Sequence, residues 1–174
     1  LLNKQLKNLK NSFKSQDFLE AFMPEPFTNN GPNSYDYRTA ELPAGNGHGT
    51  ASGLAKLFGI LATGCKRNNL TLLKNKTLNK AIEVHSSGPD TVLFGVKLNC
   101  GYCFMLEGNK NSNINFAPIF YKGTFGHAGI GGSVAFGDRK NKLSYSFVCN
   151  KQQGSKDLYK TSNMLTKAFY ESIN

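Results

Sequence analysis

No apolar run in the 174-residue sequence approaches the roughly 18 residues that cross a bilayer, so no integral membrane segment is expected. No charged-then-apolar leader with a small-residue cleavage site opens the chain, but it begins at Leu1 rather than Met, so its opening decides nothing about targeting. The net charge of +10 invites nucleic acid as a partner. Only three of the 21 basic residues are arginines (Arg38, Arg67, Arg139), however, and the lysines are scattered. Base and phosphate readers use Arg forks and interleaved aromatics, so solvated lysines are the better reading and no nucleic-acid partner is expected. Four cysteines are too few and too irregular for a disulfide scaffold. The pair in "CGYC" (Cys100, Cys103) has metal or redox spacing, but Cys65 and Cys149 stand alone and the context "KLNCGYCFML" reads as a strand. Buried reduced thiols in an intracellular compartment are the expectation. Walker A, H-E-x-x-H, EF-hand and G-x-S-x-G patterns are all absent, and His48 and His85 lack ligand-like spacing. No metal and no cofactor is expected.

What is present reads as one domain over 1–174, with a helical and loop region at 1–89 and antiparallel strands plus a C-terminal helix at 90–174. Leu2, Leu6, Leu9 and Phe13 recur at helical spacing beside four lysines. Residues 23–49 hold four of the six prolines and predict a long irregular connection. "GNGHGTASG" (45–53) superficially resembles a nucleotide-binding loop, but no buried strand precedes it, so its glycines shape the entry to a helix. In that helix Thr50 is the N-cap, Leu54, Leu57, Phe58 and Leu61 make one apolar face, and Gly64 suits the left-handed C′ position. A shorter helix is expected near 76–84, with Leu78, Ala81 and Ile82 inward. From residue 90 the period becomes two, giving "TVLFGVKL", "GYCFMLEG", "PIFYKGTFGHAG", "GGSVAFGD" and "KLSYSFVCN" as successive strands, with "GNKNSNIN" a polar loop and "DRKN" a tight turn. A helix from about 156 to 172, carrying Leu158, Leu165, Ala168, Phe169 and Ile173, closes an α+β order.

The stretch "TFGHAGIGGSVAF" (124–136) places a histidine, His127, between glycines on a strand. Glycine on a strand edge removes the side chain that would obstruct an extended substrate. A backbone N–H just beyond it can face a developing oxyanion. The imidazole of His127 could then serve as acceptor or donor. The alternative is a histidine satisfied locally in a Gly-rich turn.

Residues from about 38 to 172 resemble the C-terminal portion of the serine β-lactamase and penicillin-binding-protein family, in its β-lactamase-related esterase branch. "ELPAGNGHGTASGLAKLFGILATG" resembles that branch's approach to a helix of the helical region. "FGHAGIGGSVAFGD" with "KLSYSFVCN" resembles the third active-site motif and the strands around it. The resemblance implies an α+β β-lactamase/transpeptidase-like fold, an antiparallel sheet with flanking helices, lacking the N-terminal part of the domain. Its third motif, Lys–Thr–Gly or His at the first position, maps onto His127, Ala128 and Gly129, with Ala128 and Gly129 touching substrate and Ile130 supplying an oxyanion-hole N–H. Ala128 lacks the Thr hydroxyl that meets a substrate carboxylate, which favours small acyl esters or amides over β-lactams. The family's nucleophile lies in Ser-x-x-Lys, yet none of the 13 serines has lysine three residues later. Tyr-x-Asn is also missing: "SYDYR" offers Tyr35 and Tyr37 without the Asn. The expectation is a family member that is inactive as these 174 residues; the alternative is a non-catalytic paralogue that binds or scaffolds.

Overall fold

The protein is described by a computed structural model over residues 33–43, 45–90, 95–107, 118–153 and 157–173. The stretch Leu2–Phe13, the strand start "TVLF" and the loop "GNKNSNIN" lie outside the described residues. The chain forms two compact units, Leu1–Gly49 with Pro89–Val96 and Thr50–Gly88 with Lys97–Asn174.

In the first unit, the connection predicted as irregular contains a short helix, α1 (Tyr35–Thr39). Ser34 caps it, its hydroxyl accepting from Tyr37 N at 3.1 Å. Side chains then replace ladder bonds in the loop that follows. Tyr37 OH donates to Gly45 O at 2.8 Å, and Asn46 Nδ2 donates to Tyr37 O at 2.7 Å and also to Ala40 O. Proline-rich composition excludes long elements, but it does not register such local bonds.

The second unit begins as the sequence predicts. Helix α2 (Ala51–Ala62) starts at Thr50, whose Oγ1 accepts from Gly53 N at 3.0 Å. It ends where Gly64 takes φ +111° and Cys65 N reaches back to Ile60 O at 2.8 Å, the six-to-one bond of a Schellman close. A small hairpin not foreseen from periodicity follows, β1 (Lys66–Arg67) with β2 (Leu70–Thr71), turned by Asn68 in the left-handed region. Helix α3 (Asn75–Ala81) buries Leu78 completely.

Six strands then form one sheet in sequential order: β3 (Ser86–Asp90), β4 (Val96–Cys100), β5 (Met105–Leu106), β6 (Thr124–Ala128), β7 (Val134–Asp138) and β8 (Leu143–Phe147). The pairs from β4–β5 to β7–β8 are antiparallel. The segment "SSGPD" of β3 reads as loop on Gly and Pro content, and β5 is shorter than its apolar run suggests.

Side chains alternate across this sheet. Phe125 and Ala135 lie with Phe58 and Leu61 of α2, Cys65 and Leu78 in one core. Phe104 meets Phe58 and Phe125 edge-on, at 6.3 and 5.3 Å between centroids. Glycine permits the helix to come this close. A Cβ on Gly137 would lie 2.9 Å from Phe125 Cζ and 3.0 Å from Phe58 O. Ser144 Oγ on β8 ties the same helix down by donating to Ala55 O at 2.7 Å.

The opposite face packs on helix α4 (Lys160–Ile173), and there the buried set differs from a simple apolar stripe. Ser162, Asn163, Thr166 and Tyr170 are buried, whereas Leu165 and Ile173 are exposed. Polar partners on the sheet side turn the helix this way. Asn163 Oδ1 accepts from Ile119 N at 3.0 Å, and Tyr170 OH donates to Asp138 Oδ2 at 2.8 Å. Asp138 is fully buried and also accepts from Asn141 N at 3.0 Å and Asn141 Nδ2 at 2.8 Å, which closes the predicted "DRKN" turn. The Tyr170 ring stacks on Tyr121 at 4.2 Å and lies nearly parallel to Phe136 at 6.1 Å.

Two stability predictions follow from these contacts. Gly137→Ala should cost about 1–3 kcal/mol through overpacking, read as a lower urea midpoint with unchanged slope. The same change at Gly47, where nothing lies within 4 Å, should be nearly neutral. Tyr170→Phe removes one of three donors from a buried carboxylate and should cost about 1–3 kcal/mol in the same assay.

Candidate active site

Strand β6 is built from "TFGHA", and its register with β7 pairs Gly126 with Phe136, His127 with Ala135 and Ala128 with Val134. At Gly126 only glycine fits, since a Cβ would lie 2.2 Å from Ala135 O. On its other side β6 is covered by β5 only at Phe125 and Gly126. From His127 onward that flank has no paired strand among the described residues.

His127 is exposed on the face shared with Phe125 and Ala135. Its Nδ1 lies 2.8 Å from Ala128 O. A carbonyl only accepts, so Nδ1 carries the hydrogen and the neutral ring keeps its lone pair on Nε2. Nδ1 thereby orients the ring, and Nε2 takes no hydrogen bond among the described residues. Ala128 is buried on the opposite face, and Gly129 is exposed.

The turn after β6 is held from several sides. Gly129 N donates to Ser133 O at 2.8 Å and Gly132 N to Gly129 O at 3.2 Å. Gly131 and Gly132 have φ of +104° and +109°, and a Cβ on Gly132 would lie 2.5 Å from Leu158 O. Tyr159 OH donates to Gly129 O at 3.0 Å, Cys149 Sγ to Gly131 O at 3.2 Å and Gln153 N to Gly131 O at 3.1 Å. Ile130 is half exposed, and among the described residues its N–H takes no partner. The carbonyls on either side of it are thus anchored inward, while its own donor remains available. Tyr159, Cys149 and Gln153 escaped the sequence reading, because 18 to 30 residues separate them from their partners in the turn and no spacing rule marks them.

The other sequence candidates are dispersed. His48 Nδ1 bonds Asn46 O at 2.7 Å in the first unit, and His85 stacks on Tyr102 at 3.7 Å in the second. None of the four cysteines forms a disulfide, and no group of three or more His, Cys, Asp or Glu suited to a metal occurs among the described residues. Cys65 is fully buried, and burial pushes its thiol up. Cys103 departs from the expectation of buried thiols: it is exposed, on a turn where it takes φ +61°. No described helix is long and apolar enough to cross a membrane.

Residues 13–167 match the sequence profile of the family described as Beta-lactamase. The chain belongs to the β-lactamase family. The esterase/beta-lactamase LipL of Mycobacterium tuberculosis is 28% identical over 114 residues, covering 64% of this chain and 24% of that protein. The crystal structure of a penicillin-binding-protein homologue from Caulobacter crescentus is 31% identical, with a TM-score of 0.71 over 89% of this chain and 40% of that one. A family VIII carboxylesterase structure is 27% identical, with a TM-score of 0.60 over 76% of this chain and 36% of that one. The antiparallel sheet with flanking helices is thus the β-lactamase/transpeptidase-like fold, and the chain spans well under half the length of these relatives.

Burial pushes the Tyr159 hydroxyl up to about 12, with the Cys149 thiol adding to it. A raised pKa means that the folded state prefers the protonated phenol. Its stabilisation is therefore complete below the ordinary pKa of about 10 and is lost as pH climbs from there toward about 12. Tyr159→Phe should flatten the alkaline limb of the stability profile. It should also speed hydrogen exchange at the bonded Gly129 and Gly132 amides severalfold at neutral pH, since one anchor of about 1 kcal/mol is gone.

Proposed function

We propose that these 174 residues, as one partial domain, carry the third-motif and oxyanion side of a serine acyl-hydrolase site acting on small acyl esters or amides. One observation supports this above the rest: among the described residues β6 loses its neighbour at His127, and two residues past Ala128 the Ile130 N–H has no partner in a turn anchored on both sides. An extended acyl group can lie along that open flank, with Gly129 offering no side chain to obstruct it. Ile130 N–H is one oxyanion donor, and the nucleophile's own N–H is the other. His127 orients the substrate or moves a proton through Nε2. Ala128, buried, contributes backbone rather than a polar side chain, which favours esters over substrates with a carboxylate to be recognised.

A serine nucleophile with its lysine is not among these residues, as no Ser-x-x-Lys occurs in the sequence. Members of such a site act as a unit, so the chain by itself should be inactive. The same absence supports a second reading, a non-catalytic paralogue that binds or scaffolds.

The chain alone, incubated with p-nitrophenyl butyrate, should show no turnover above buffer. Joined behind a segment bearing Ser-x-x-Lys and Tyr-x-Asn from a family relative, it should hydrolyse the ester in a manner abolished by substituting that serine. In that chimaera, Ile130→Pro removes the N–H and should lower kcat about 10²–10³-fold. A folded chimaera that stays inactive would favour the second reading. Turnover by the chain alone, lost on a single Ser substitution, would overturn the first.

A further inference from the structure

Helix α3 and the turn 101–104 enclose a groove of about 510 Å³ in the second unit that takes in none of His127 to Ile130. That volume falls within the roughly 300–1,000 Å³ of small-molecule sites. Leu73, Ala81 and Phe104 give it an apolar floor, and Lys76 and Lys80 stand one helical turn apart along it. Both lysines are exposed, and neither takes an acidic partner among the described residues.

The walls are fixed. A Cβ on Gly101 would lie 2.2 Å from Ala81 O, so the turn is pressed against the end of α3. Tyr102 N donates to Ala81 O at 2.8 Å, and His85 N donates to Cys100 O at 2.8 Å. The Tyr102 ring stacks on His85 at 3.7 Å and 11°, and His85 Nε2 donates to Lys80 O at 2.8 Å. An exposed aromatic wall, an apolar floor and two ammonium groups without an acidic partner among the described residues make a surface that is hydrophobic and cationic together.

We propose that this groove binds a long-chain monocarboxylate, of the fatty-acid type, with its alkyl chain on Leu73, Ala81 and Phe104 and its carboxylate between Lys76 and Lys80. Apolar floor alone would accept any hydrocarbon, and lysines alone any anion. Their combination selects an amphiphile with a single anionic head. The inference does not depend on the His127 reading.

The test uses the full 174-residue chain, ¹⁵N-labelled, titrated with decanoate below its micelle threshold. Expected are saturable amide shifts confined to α3 and residues 101–104, and at saturation an alkylation rate at Cys103, which lines the groove, reduced about tenfold toward iodoacetamide. Dodecanoate should bind more tightly, by up to about fourfold per added methylene. Decanol should bind at least tenfold more weakly than decanoate, and Lys76→Glu/Lys80→Glu should weaken decanoate at least tenfold. Lys76→Gln/Lys80→Gln gives the same reading at lower charge contrast should the reversal disturb the fold. Equal affinity for decanol and decanoate, indifference to both lysine variants, or shifts spread over the chain would overturn the proposal. So would binding to anionic phospholipid vesicles without saturation by the monomer.

Discussion

The register between β6 and β7 governs both faces of the sheet in the second unit. Five residue pairs, from Thr124 opposite Asp138 to Ala128 opposite Val134, lock the two strands. A slip by one residue would send every side chain to the other face. If β6 slipped, Phe125 would leave the aromatic cluster under α2. His127 would turn inward to the face that Ala128 now occupies. The glycines at 126 and 137 reinforce this one register, since each sits where a Cβ would strike a neighbour. The position of His127 is therefore a consequence of packing several residues away.

A second dependence runs through the C-terminal region. Tyr159, just before α4, holds the Gly129 carbonyl, and Tyr170, inside α4, holds Asp138. The same segment thus anchors the turn after β6 and the turn after β7. Its polar inward face is explained by those two duties. Ser162, Asn163 and Thr166 fill the interval, and the Tyr145–Phe169 contact at 5.2 Å packs the flank. A hydrophobic stripe could have covered the sheet, but it would have taken the tyrosine donor from the buried Asp138 carboxylate and left the Ile119 N–H without its partner.

Local signals in the sequence were readable where the chemistry is local. Thr50 and Gly64 bound α2 because a cap and a left-handed close need only neighbouring residues. Strands β6, β7 and β8 show alternation because each has two covered faces of different character. The histidine motif could be placed at a strand edge from its glycines, and the family assignment followed from two quoted segments. What stayed hidden depends on distance along the chain. The inward face of α4 could not be read, because Leu165 and Ile173 are apolar and yet exposed, while the reason lies 30 or more residues away in Asp138 and Ile119. The anchors at Tyr159 and Cys149 were invisible for the same reason. Strand β3, rich in Ser, Gly and Pro, has pairing imposed by its neighbour rather than by its own propensity.

These long-range anchors also bear on how a divided site can remain meaningful. An oxyanion donor is effective when its direction is set before charge develops, so that little reorganisation is needed during reaction. On the proposed reading, the direction of the Ile130 N–H is set by Gly129 and Gly131, whose carbonyls are held by Tyr159, Cys149 and Gln153. Every one of those groups lies within these 174 residues, and none belongs to the segment that would bring the serine. Preorganisation of this donor is then a property of the sheet and its C-terminal helix alone, and the nucleophile's contribution is separable from it. The glycine-rich turn holds two residues at positive φ, and two side chains, those of Tyr159 and Cys149, are committed to its carbonyls.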